Sequence, residues 1–527
     1  MSAEIPNEAG VFCDLYGRLL HEFAAQIGER ASTYGQAARS VREEIVRCVW
    51  FGGHFKAENL TTDEGRRVEV LSPGWWNVEG GPDFVRAELL IEGVGRLVGD
   101  VEVHSTSSAW YAHGHHRQPE YNDVVLHVVM WNDRDEATVR SEGGRAIPQL
   151  TLSKAVEEDL EELVEVVDPE AESAGQQWQA VEGKYCSRAV RSGDLEPEWL
   201  GRLLDLAGDH RILTRAAAVA DLFEKHPREQ LLYERLAEAL GYKKNRMPFI
   251  QLTGLLPMGD LRRAIPAEAD TAEKSKQLEA AFFSVAGFLT AEPIAGADAE
   301  TAAYCEGLRQ AWAGLEGQLT SVRLSPEHWQ FAGTRPVNYP PRRIAALAVL
   351  CADHLHSGLF NHFLRLVSSA RPQGRQRADV AVRNALAGAF LHLEHPYWSR
   401  RFRLGGRRLD KPEALVGGER AISMVVDVLL PMLLAQAQAD TDLALERSLH
   451  GLWRGLARRQ ENAITRRMEQ TMFQSKAEAA RFVNSARRQQ GLHQLHNDCC
   501  RAAPPDAGCE RCIVYLARHA GKSLAPL

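Results

Sequence analysis

From about residue 195 to residue 480, apolar residues recur at positions i, i+3 and i+4, as in LLYERLAEALGY and AISMVVDVLLPMLLAQA. This spacing collects apolar side chains on one face of a helix, so it predicts that this long region is almost entirely α-helical. Breakers such as MPFIQLTGLLPMGD and RPVNYPPRR divide it into helical blocks. No fixed period relates the blocks, which favours an irregular helical domain over a solenoid.

A strand-forming pattern precedes the helical region. Three β-favouring runs, RVEVLSPG, FVRAELLIEG and RLVGDVEVH, begin at residues 67, 84 and 96. An amphipathic helix, VREEIVRCVWFG, precedes them, and a short helix and the apolar run DVVLHVVMWND follow. The predicted fold class is therefore α+β: an α-β-β-β-α-β domain, a large irregular all-α region and a small cysteine-rich tail.

Changes in composition predict five segments in the 527-residue chain, which is too long for a single core. We expect an exposed or loosely attached helical extension at the start, and an acidic linker around EEDLEELVEVVDPEAESAG. The predicted segments are the extension over 1–37, the α/β domain over 38–156, the linker over 157–194, the helical domain over 195–483, and the basic cysteine-rich tail over 484–527.

Charge and apolar patterning restrict the location and the partners. The formal net charge is −8, so affinity for nucleic acid would require a local basic surface. The N-terminus has no signal-peptide pattern and no stretch reaches about 18 uncharged apolar residues, so we expect a cytoplasmic protein with no membrane span. Phosphate-loop and dinucleotide-binding motifs are absent, which disfavours a nucleotide cofactor.

Polar residues in the third predicted strand form a candidate metal site. Asp100, Glu102 and His104 alternate with valines, so we expect the three polar side chains to share one face of the strand. Asp83, in GGPDF, stands just before the neighbouring strand. Two carboxylates on adjacent strands can hold one hard cation, so Asp83 and Glu102 are the predicted ligands of Mg²⁺ or Mn²⁺, with Asp100 as a candidate third ligand.

This arrangement resembles the restriction-endonuclease-like superfamily over roughly residues 40–135. Pro82-Asp83 matches the first part of that superfamily's signature, Pro-Asp followed by Asp/Glu-x-Lys, and Glu102-Val103-His104 matches the second part except at its last residue. The resemblance implies that the two acids hold Mg²⁺ and that the third position prepares the attacking water. A neutral imidazole at His104 could accept a proton from a metal-bound water near pH 7.

Other polar and aromatic residues near this site have two interpretations each. The candidates for substrate or second-metal binding are Trp75, Trp76, His113, His115, His116 and Arg117. The three histidines could line the same cleft or form the solvated face of a short helix, and the spacing slightly favours the latter. The two tryptophans could stack on unpaired bases or cover the core. His127, inside VVLHVV, is interpreted as a hydrogen-bonded core residue.

The tail carries a second candidate metal site. Cys509 and Cys512 form a C-x2-C pair, preceded by Cys500 and by His496, a spacing typical of small structural Zn²⁺ sites. Cys499 is an alternative fourth ligand. A further alternative is an iron–sulfur cluster that includes Cys186, since one upstream and three terminal cysteines are similar to the pattern of iron–sulfur exonucleases of recombination repair; there, however, the first cysteine precedes the nuclease motifs.

Several segments together resemble one bacterial family, domain-of-unknown-function family 2851. They are SPGWWNVEGGPDFVRAEL, GDVEVHSTSSAWYAHGHH, YNDVVLHVV, GYKKNRMPF, RPVNYPPRR and QQGLHQLHNDCC. The resemblance covers most of the chain but implies no established activity. The tail departs from the family's pattern at Cys499 and the Pro-Pro insertion.

The leading functional hypothesis is a metal-dependent nuclease that hydrolyses phosphodiester bonds in DNA or RNA. Asp83, Glu102 and His104 would be its catalytic residues, and the helical domain and tail would hold the substrate. Seven arginines could supply the local positive charge: Arg454, Arg458, Arg459, Arg466, Arg467, Arg487 and Arg488. The alternative is a catalytically inactive nucleic-acid-binding or scaffold protein with the same fold.

Overall fold

The structure, a computed structural model, divides the chain into two compact units. One lies within residues 30–173, and the other combines residues 1–29 with residues 174–527. The side chains of Cys48, Trp75 and Trp76 are outside the description. The structure describes residues 12, 14–23, 43–52, 55, 60–77, 81–156, 185–290, 296–331, 334–370, 377–461, 463–500 and 512–521.

The N-terminal unit is built on one mixed β-sheet. Its strands follow the spatial order β1-β3-β4-β5-β7-β6, with the short β2 paired to β3. The β4–β5 and β5–β7 pairs are parallel, and the other pairs are antiparallel. The elements are α2 (Glu43–Gly52), β1 (Val68–Ser72), β2 (Trp75–Trp76), β3 (Phe84–Ile91), β4 (Gly95–Thr106), α3 (Ala109–Ala112), β5 (Val124–Trp131), β6 (Thr138–Arg140) and β7 (Ala146–Thr151).

The predicted mixed α/β domain followed by a helical region is confirmed, with differences in detail. The three predicted strands correspond to β1, β3 and β4, and DVVLHVVMWND corresponds to β5. The predicted helix before Pro119 is shorter than expected: α3 is a single turn, followed by 3₁₀ turns at His115–Arg117 and Pro119–Tyr121. Gly114, with φ +81°, interrupts the helix between them.

The two faces of this sheet bury different side chains. On one face, Val101 and Val103 of β4 pack with Val46, Val49 and Trp50 of α2 in the larger core. A smaller apolar group contains Trp110, Tyr121, Val124, Val139 and Ile147. The turns between α3 and β5 therefore contribute to a second layer, which also encloses the polar residues of β4.

The second unit is helical and irregular, as predicted. Most of its helices contribute to one large apolar core. Pro340 is the first residue of the helix Pro340–Ala352 (α10), where its missing N–H is not needed. This agrees with the predicted break at RPVNYPPRR. The helices are α1 (Leu15–Glu22), α4 (Tyr185–Ser192), α5 (Pro197–Lys225), α6 (Arg228–Leu255), α7 (Met258–Ala264), α8 (Thr271–Val285), α9 (Ala299–Leu315), α10 (Pro340–Ala352), α11 (Leu359–Ser369), α12 (Ala378–Leu391), α13 (Gly418–Met424), α14 (Leu430–Ala439), α15 (Leu443–Gly455), α16 (Ala463–Met472), α17 (Lys476–Phe482), α18 (Ala486–Leu495) and α19 (Ile513–His519), with π-helical turns at Val425–Leu429 and His496–Cys500.

The first helix is not exposed or loosely attached, which corrects the prediction for the extension. Tyr16 and Leu19 of α1 are buried in an apolar cluster shared with α5 and the tail. The hydroxyl of Tyr16 donates a hydrogen bond to Oδ2 of Asp498 at 2.8 Å. The apolar stripe of α1 is only two turns long, so it was difficult to recognise beside the Ala, Glu and Arg residues of the extension.

One described helical segment, Gly418–Ala439, is long and apolar enough by composition to cross a membrane. About 78% of its apolar window is buried inside the protein. Burial of this kind is typical of a central helix in a water-soluble protein, where neighbouring helices cover an apolar surface on all sides.

Candidate metal centre

Strand β4 presents its polar residues as the alternation predicts, at two of the three positions. Glu102 is 3% exposed and His104 is fully buried, while Val101 and Val103 enter the core of the opposite face. A carboxylate and an imidazole two residues apart on a strand project in the same direction. The buried face of β4 therefore carries an acid and a histidine side by side.

The carboxylates of Asp83 and Glu102 each accept a hydrogen bond from a backbone N–H at or next to the other residue. The N–H of Asp83 donates to Oε2 of Glu102 at 2.9 Å, and the N–H of Val103 donates to Oδ2 of Asp83 at 3.0 Å. Each carboxylate thus uses one oxygen for the neighbouring strand. The remaining oxygens, Oδ1 of Asp83 and Oε1 of Glu102, are available for other contacts.

The first helix of the unit adds a charge pair that the sequence analysis did not select. Nη2 of Arg47 lies 2.9 Å from Oδ1 of Asp83 and 2.8 Å from Oε1 of Glu43. Glu43 and Arg47 are one turn apart on α2, so the same face of the helix carries both. Their i, i+4 spacing was visible in the sequence, but nothing in it indicated that this face meets Asp83.

Burial and the nearby charge of Glu102 raise the pKa of the Asp83 carboxyl to about 8. The positive charge of Arg47 and the N–H of Val103 oppose this shift without cancelling it. Two buried carboxyl groups close together resist simultaneous ionisation unless a cation is added. The pair is thus electrostatically prepared to bind positive charge.

Two histidines lie close to Oε1 of Glu102, and a third lies beside one of them. Nε2 of His115 lies 3.2 Å from this oxygen, and Nε2 of His104 lies 3.5 Å from it. Nδ1 of His113 is 3.2 Å from Nε2 of His104. Among the described residues, two groups could each hold a metal ion, because the ligand atoms within each group lie within 4.8 Å of one another. One group is His104, His113 and His115, and the other is Glu43, Glu102 and His104.

The environment of His115 suits a metal ligand. Its Nε2 atom is buried and lies 3.2 Å from Oε1 of Glu102 without forming a well-defined hydrogen bond. Burial lowers the pKa of His115, but the contacts with Glu102 and Gln118 outweigh burial, and the net shift is upward. A buried nitrogen without a partner is unfavourable, and coordination to a metal ion would satisfy it.

A hydrogen-bond chain sets the tautomer of His104. Nε2 of Gln149 donates to Oδ2 of Asp63 at 2.9 Å and to the backbone oxygen of Glu136 at 3.0 Å, so Oε1 of Gln149 must face Nδ1 of His127, at 3.1 Å. An amide oxygen only accepts, and His127 therefore carries its proton on Nδ1. Burial lowers the pKa of His127 to about 3, which keeps the ring neutral.

The second step of this chain leaves the lone pair of His104 inside the site. Because Nε2 of His127 can only accept, Nδ1 of His104 donates to it, at 2.9 Å. Burial and the neighbouring imidazoles lower the pKa of His104 well below its usual value. His104 is therefore neutral and directs an unprotonated Nε2 toward Glu102, which is the form that a metal ligand or a general base requires.

Asp100 lies apart from the candidate ligands, unlike the prediction of a third ligand. Its Oδ1 atom accepts a hydrogen bond from the N–H of Arg86 at 3.1 Å. Arg86 has φ +58°, and the β3–β4 pairing shifts register between Phe84 and Ala87. Asp100 thus stabilises a bulge, an irregularity that simple alternation does not anticipate.

The other predicted substrate-binding residues have different environments. His113 and Arg117 are exposed, whereas His115 is buried, so the histidine group is not simply a solvated helix face. Nδ1 of His116 is buried and has no hydrogen-bond partner. The side chains of Trp75 and Trp76 are outside the described residues, and the interpretation of His127 as a hydrogen-bonded core residue is confirmed.

Comparison with protein families decides the membership of the chain. The family model described as "Protein of unknown function (DUF2851)" matches residues 43–462, which is most of the sequence. The protein belongs to the DUF2851 family. The match begins at Glu43, so every residue of the candidate metal centre lies within it. No curated protein and no solved structure gives a significant match.

In this DUF2851 protein, the predicted basic surface is largely neutralised by ion pairs. Arg487 is 6% exposed, and its Nε donates to Oδ1 of Asp209 at 2.7 Å. Arg488 pairs with Asp205 at 3.1 Å. A buried pair such as Arg487–Asp209 cannot contact phosphate groups, which corrects the role predicted for Arg487, and Arg488 is partly buried in its own ion pair.

Two further arginines of the predicted set also have carboxylate partners. Nη2 of Arg458 lies 2.9 Å from Oε2 of Glu469, and Nη2 of Arg459 lies 3.2 Å from Oδ2 of Asp427. Arg454 and Arg467 are exposed. Their role as phosphate contacts stays a prediction.

The cysteines of the tail all lie beyond the DUF2851 match. Cys499, Cys500, Cys512 and His496 are described, and Cys509 lies outside the described residues. Cys499, Cys512 and His496 are buried. Cys186, from the distant α4, packs in the same apolar cluster.

Proposed function

We propose that the N-terminal unit is a metal-dependent phosphodiesterase that hydrolyses DNA or RNA. The observation that carries the proposal is the unprotonated Nε2 of His104 beside Oε1 of Glu102, at 3.5 Å, within a buried group of histidines and acids. A purely structural core would gain little from such an arrangement, because burying a carboxylate and several imidazoles removes their hydration. A divalent cation and a polar substrate give it a chemical purpose.

The resemblance to restriction-endonuclease-like enzymes supports this function. Pro82-Asp83 precedes β3, and Glu102-Val103-His104 lies in β4, so both parts of the signature occur on adjacent strands. β4 also pairs in parallel with β5, across a short helical connection. His104 stands where that superfamily has lysine, and the single lone pair on its Nε2 suits it to hold the metal ion at that position.

The donor atoms favour a first-row transition ion over Mg²⁺. Imidazole nitrogen is a poor ligand for Mg²⁺ but a good one for Mn²⁺ and its neighbours in the series. Glu102 and His104 would hold the ion, with His113 and His115 as further ligands and Asp83 as the second carboxylate. When bound, the ion would lower the pKa of a coordinated water and offset negative charge on the phosphoryl oxygens.

The protein's own groups can divide the remaining tasks. Arg47 offsets the charge of Asp83, and the backbone bonds between Asp83 and Glu102 keep both carboxylates in position. Exposed Arg117, close to His115 in the chain, can contact a phosphate of the substrate. The tautomer of His104 is already set, so no reorganisation is needed before it binds a metal ion.

The test is a cleavage assay on the full chain with single- and double-stranded DNA and RNA, in Mg²⁺ and in Mn²⁺. We expect cleavage that is stronger in Mn²⁺ and is reduced at least about 10²-fold in Glu102→Gln. Glu88→Gln is the matched control: its carboxylate on β3 is partly exposed and pairs with Arg96 at 2.6 Å. The proposal fails if wild-type protein cleaves none of these substrates in either metal.

A second candidate function is a non-catalytic nucleic-acid-binding or scaffold protein. The contact of Arg47 with Asp83 favours it, because the guanidinium neutralises one of the two predicted carboxylate ligands. The two functions predict different results for the Arg47→Ala variant. An enzyme whose Asp83 binds metal should retain metal and bind it more tightly, whereas a scaffold should only lose stability.

A further inference from the structure

Three thiols from distant parts of the chain meet in the helical unit. Cys186 lies on α4, Cys499 lies in the π-helical turn His496–Cys500, and Cys512 directly precedes α19. The thiol of Cys512 is in hydrogen-bonding contact with both of the others. The three residues are 8%, 6% and 7% exposed, so Cys512 connects two other buried thiols.

A fourth thiol lies beside them. Cys500 follows Cys499 in the π-helical turn, is partly exposed, and packs against the same apolar cluster. Cys499 and Cys500 are close enough to influence each other electrostatically. Cys186, Cys499, Cys500 and Cys512 are called the thiol cluster below.

The local backbone at the thiol cluster is unusual. Cys499 and Cys500 occupy a π-helical turn that continues α18. Such turns are rare and occur frequently at functional sites, because the extra residue changes the direction of the side chains. Here the turn lets α18 carry two consecutive cysteines toward Cys512.

The connected segments are short and come from separate places in the sequence. α4 has eight residues, α19 has seven, and Tyr16 of α1 binds Asp498 next to Cys499. Helices of this length are not stable by themselves and depend on tertiary contacts. A link among them at the thiol cluster would therefore determine whether the two ends of the chain stay together.

We propose that the thiol cluster is a structural centre for a thiophilic metal, either a Zn²⁺ ion or an iron–sulfur cluster, that joins α4, α18 and α19. Thiolates are the preferred ligands of both, and four thiolates complete the coordination of either. Metal binding requires deprotonated thiols and links the folding of small segments to the metal. The proposal is independent of the nuclease function, because all its residues lie in the other unit.

The other described buried cysteines provide the comparison. Cys305 is buried on α9, and Cys351 is on α10, where it packs among the side chains of the large core. Neither lies in the apolar cluster that contains the thiol cluster. Cys351→Ala is therefore a matched control for Cys186→Ala and Cys512→Ala, since each removes one buried thiol.

The experiment is elemental analysis of the full-length protein, purified without chelator both in air and under anaerobic conditions. We expect about one Zn²⁺ per chain, or iron together with acid-labile sulfide, and at least a tenfold lower content in Cys186→Ala and Cys512→Ala. Cys351→Ala should retain the wild-type content. Zinc identifies the first form of the centre, and iron with sulfide identifies the second.

A measurement on unaltered protein guards against variants that fail to fold. Metal-depleted wild type should take up Co²⁺ with the near-ultraviolet absorption of a thiolate complex, unless the native centre contains iron and sulfide. Wild type without zinc or iron and without this absorption overturns the proposal. So do a Cys186–Cys512 disulfide in the purified protein and a metal content that Cys186→Ala and Cys512→Ala leave unchanged.

Discussion

Nδ1 of His104 lies 2.9 Å from Nε2 of His127, and this contact connects the candidate metal centre to the interior of the sheet. His127 in turn contacts Gln149 on the neighbouring strand β7, to which β5 pairs in parallel. This chain of hydrogen bonds ends at Asp63, which also accepts a hydrogen bond from Thr151 at 2.8 Å. The tautomer of His104 is thus set by residues that are not themselves candidate ligands.

We first predict that Gln149→Leu weakens metal binding although Gln149 is not a ligand. Without the amide, His127 can rotate or change tautomer. Nε2 of His104 is then no longer kept unprotonated. Loss of an outer partner of this kind reduces metal affinity about 10–100-fold. Isothermal titration with Mn²⁺ measures it, with Thr138→Val on β6 as a control of the same sheet. Equal affinities in Gln149→Leu and wild type would show that the chain has no such role.

The second prediction concerns acid stability of the metal-free N-terminal unit. His127 has a pKa of about 3 in the folded protein and about 6.5 when unfolded. The unfolded chain therefore binds a proton that the folded chain refuses, so stability is complete above pH 6.5 and decreases as pH falls toward 3. The expected slope from this residue is about 1.4 kcal/mol per pH unit. The shifted pKa of His104 acts in the same direction.

This second prediction is checked by urea unfolding at several pH values in the presence of a chelator. His127→Gln removes the titrating group and keeps a side chain able to form hydrogen bonds. Between pH 6 and pH 4, its free energy of unfolding should depend less on pH than that of wild type. A steeper or identical dependence in the variant would contradict the neutral, buried state of His127.

The third prediction separates structural arginines from exposed ones. Arg487→Met should destabilise the helical unit by about 3–5 kcal/mol, because it leaves the buried carboxylate of Asp209 without its charged partner. Nε1 of Trp453 also donates to Asp209, at 3.0 Å, but cannot replace the lost charge. Arg467→Met, at an exposed position, should change stability by no more than about 0.5 kcal/mol. Chemical denaturation of the two variants makes the comparison.

The fourth prediction is that nucleic-acid binding depends on the exposed arginines. Arg454→Gln and Arg467→Gln should each reduce the slope of log affinity against log salt by about one, as the loss of one phosphate contact does. Fluorescence anisotropy with short DNA and RNA at several salt concentrations measures the slope. Binding that is absent at low salt, or insensitive to salt, would exclude the role of this surface.

Local patterns predicted much of the N-terminal unit. Strand alternation placed Glu102 and His104 on a buried face, and the Pro-Asp motif placed Asp83 next to them. Asp100 follows the same alternation, yet a bulge beside Arg86 diverts it. Alternation describes a regular strand, and bulges depend on the pairing of neighbouring strands.

Long-range partners were beyond the sequence patterns. Gln149 and Asp63 are 86 residues apart, and they meet because the segment before β1 pairs with β7 through a bridge between Thr62 and Leu150. Arg47 reaches Asp83 from a helix whose orientation a helical period does not determine. The sequence also identified Arg487 as a charged residue, but it could not predict that Arg487 is buried against Asp209. That burial depends on how α18 packs on α5.

The most direct test of the account is pulsed electron paramagnetic resonance of Mn²⁺ bound to the full-length protein. Imidazole nitrogen coordinated to Mn²⁺ produces nitrogen modulation, which carboxylate and water ligands do not. We predict this modulation in wild type and in Glu88→Gln, and weaker modulation with lower affinity in His104→Ala. Mn²⁺ that fails to bind, or that binds without nitrogen modulation in wild type, would contradict a metal centre at His104 and Glu102.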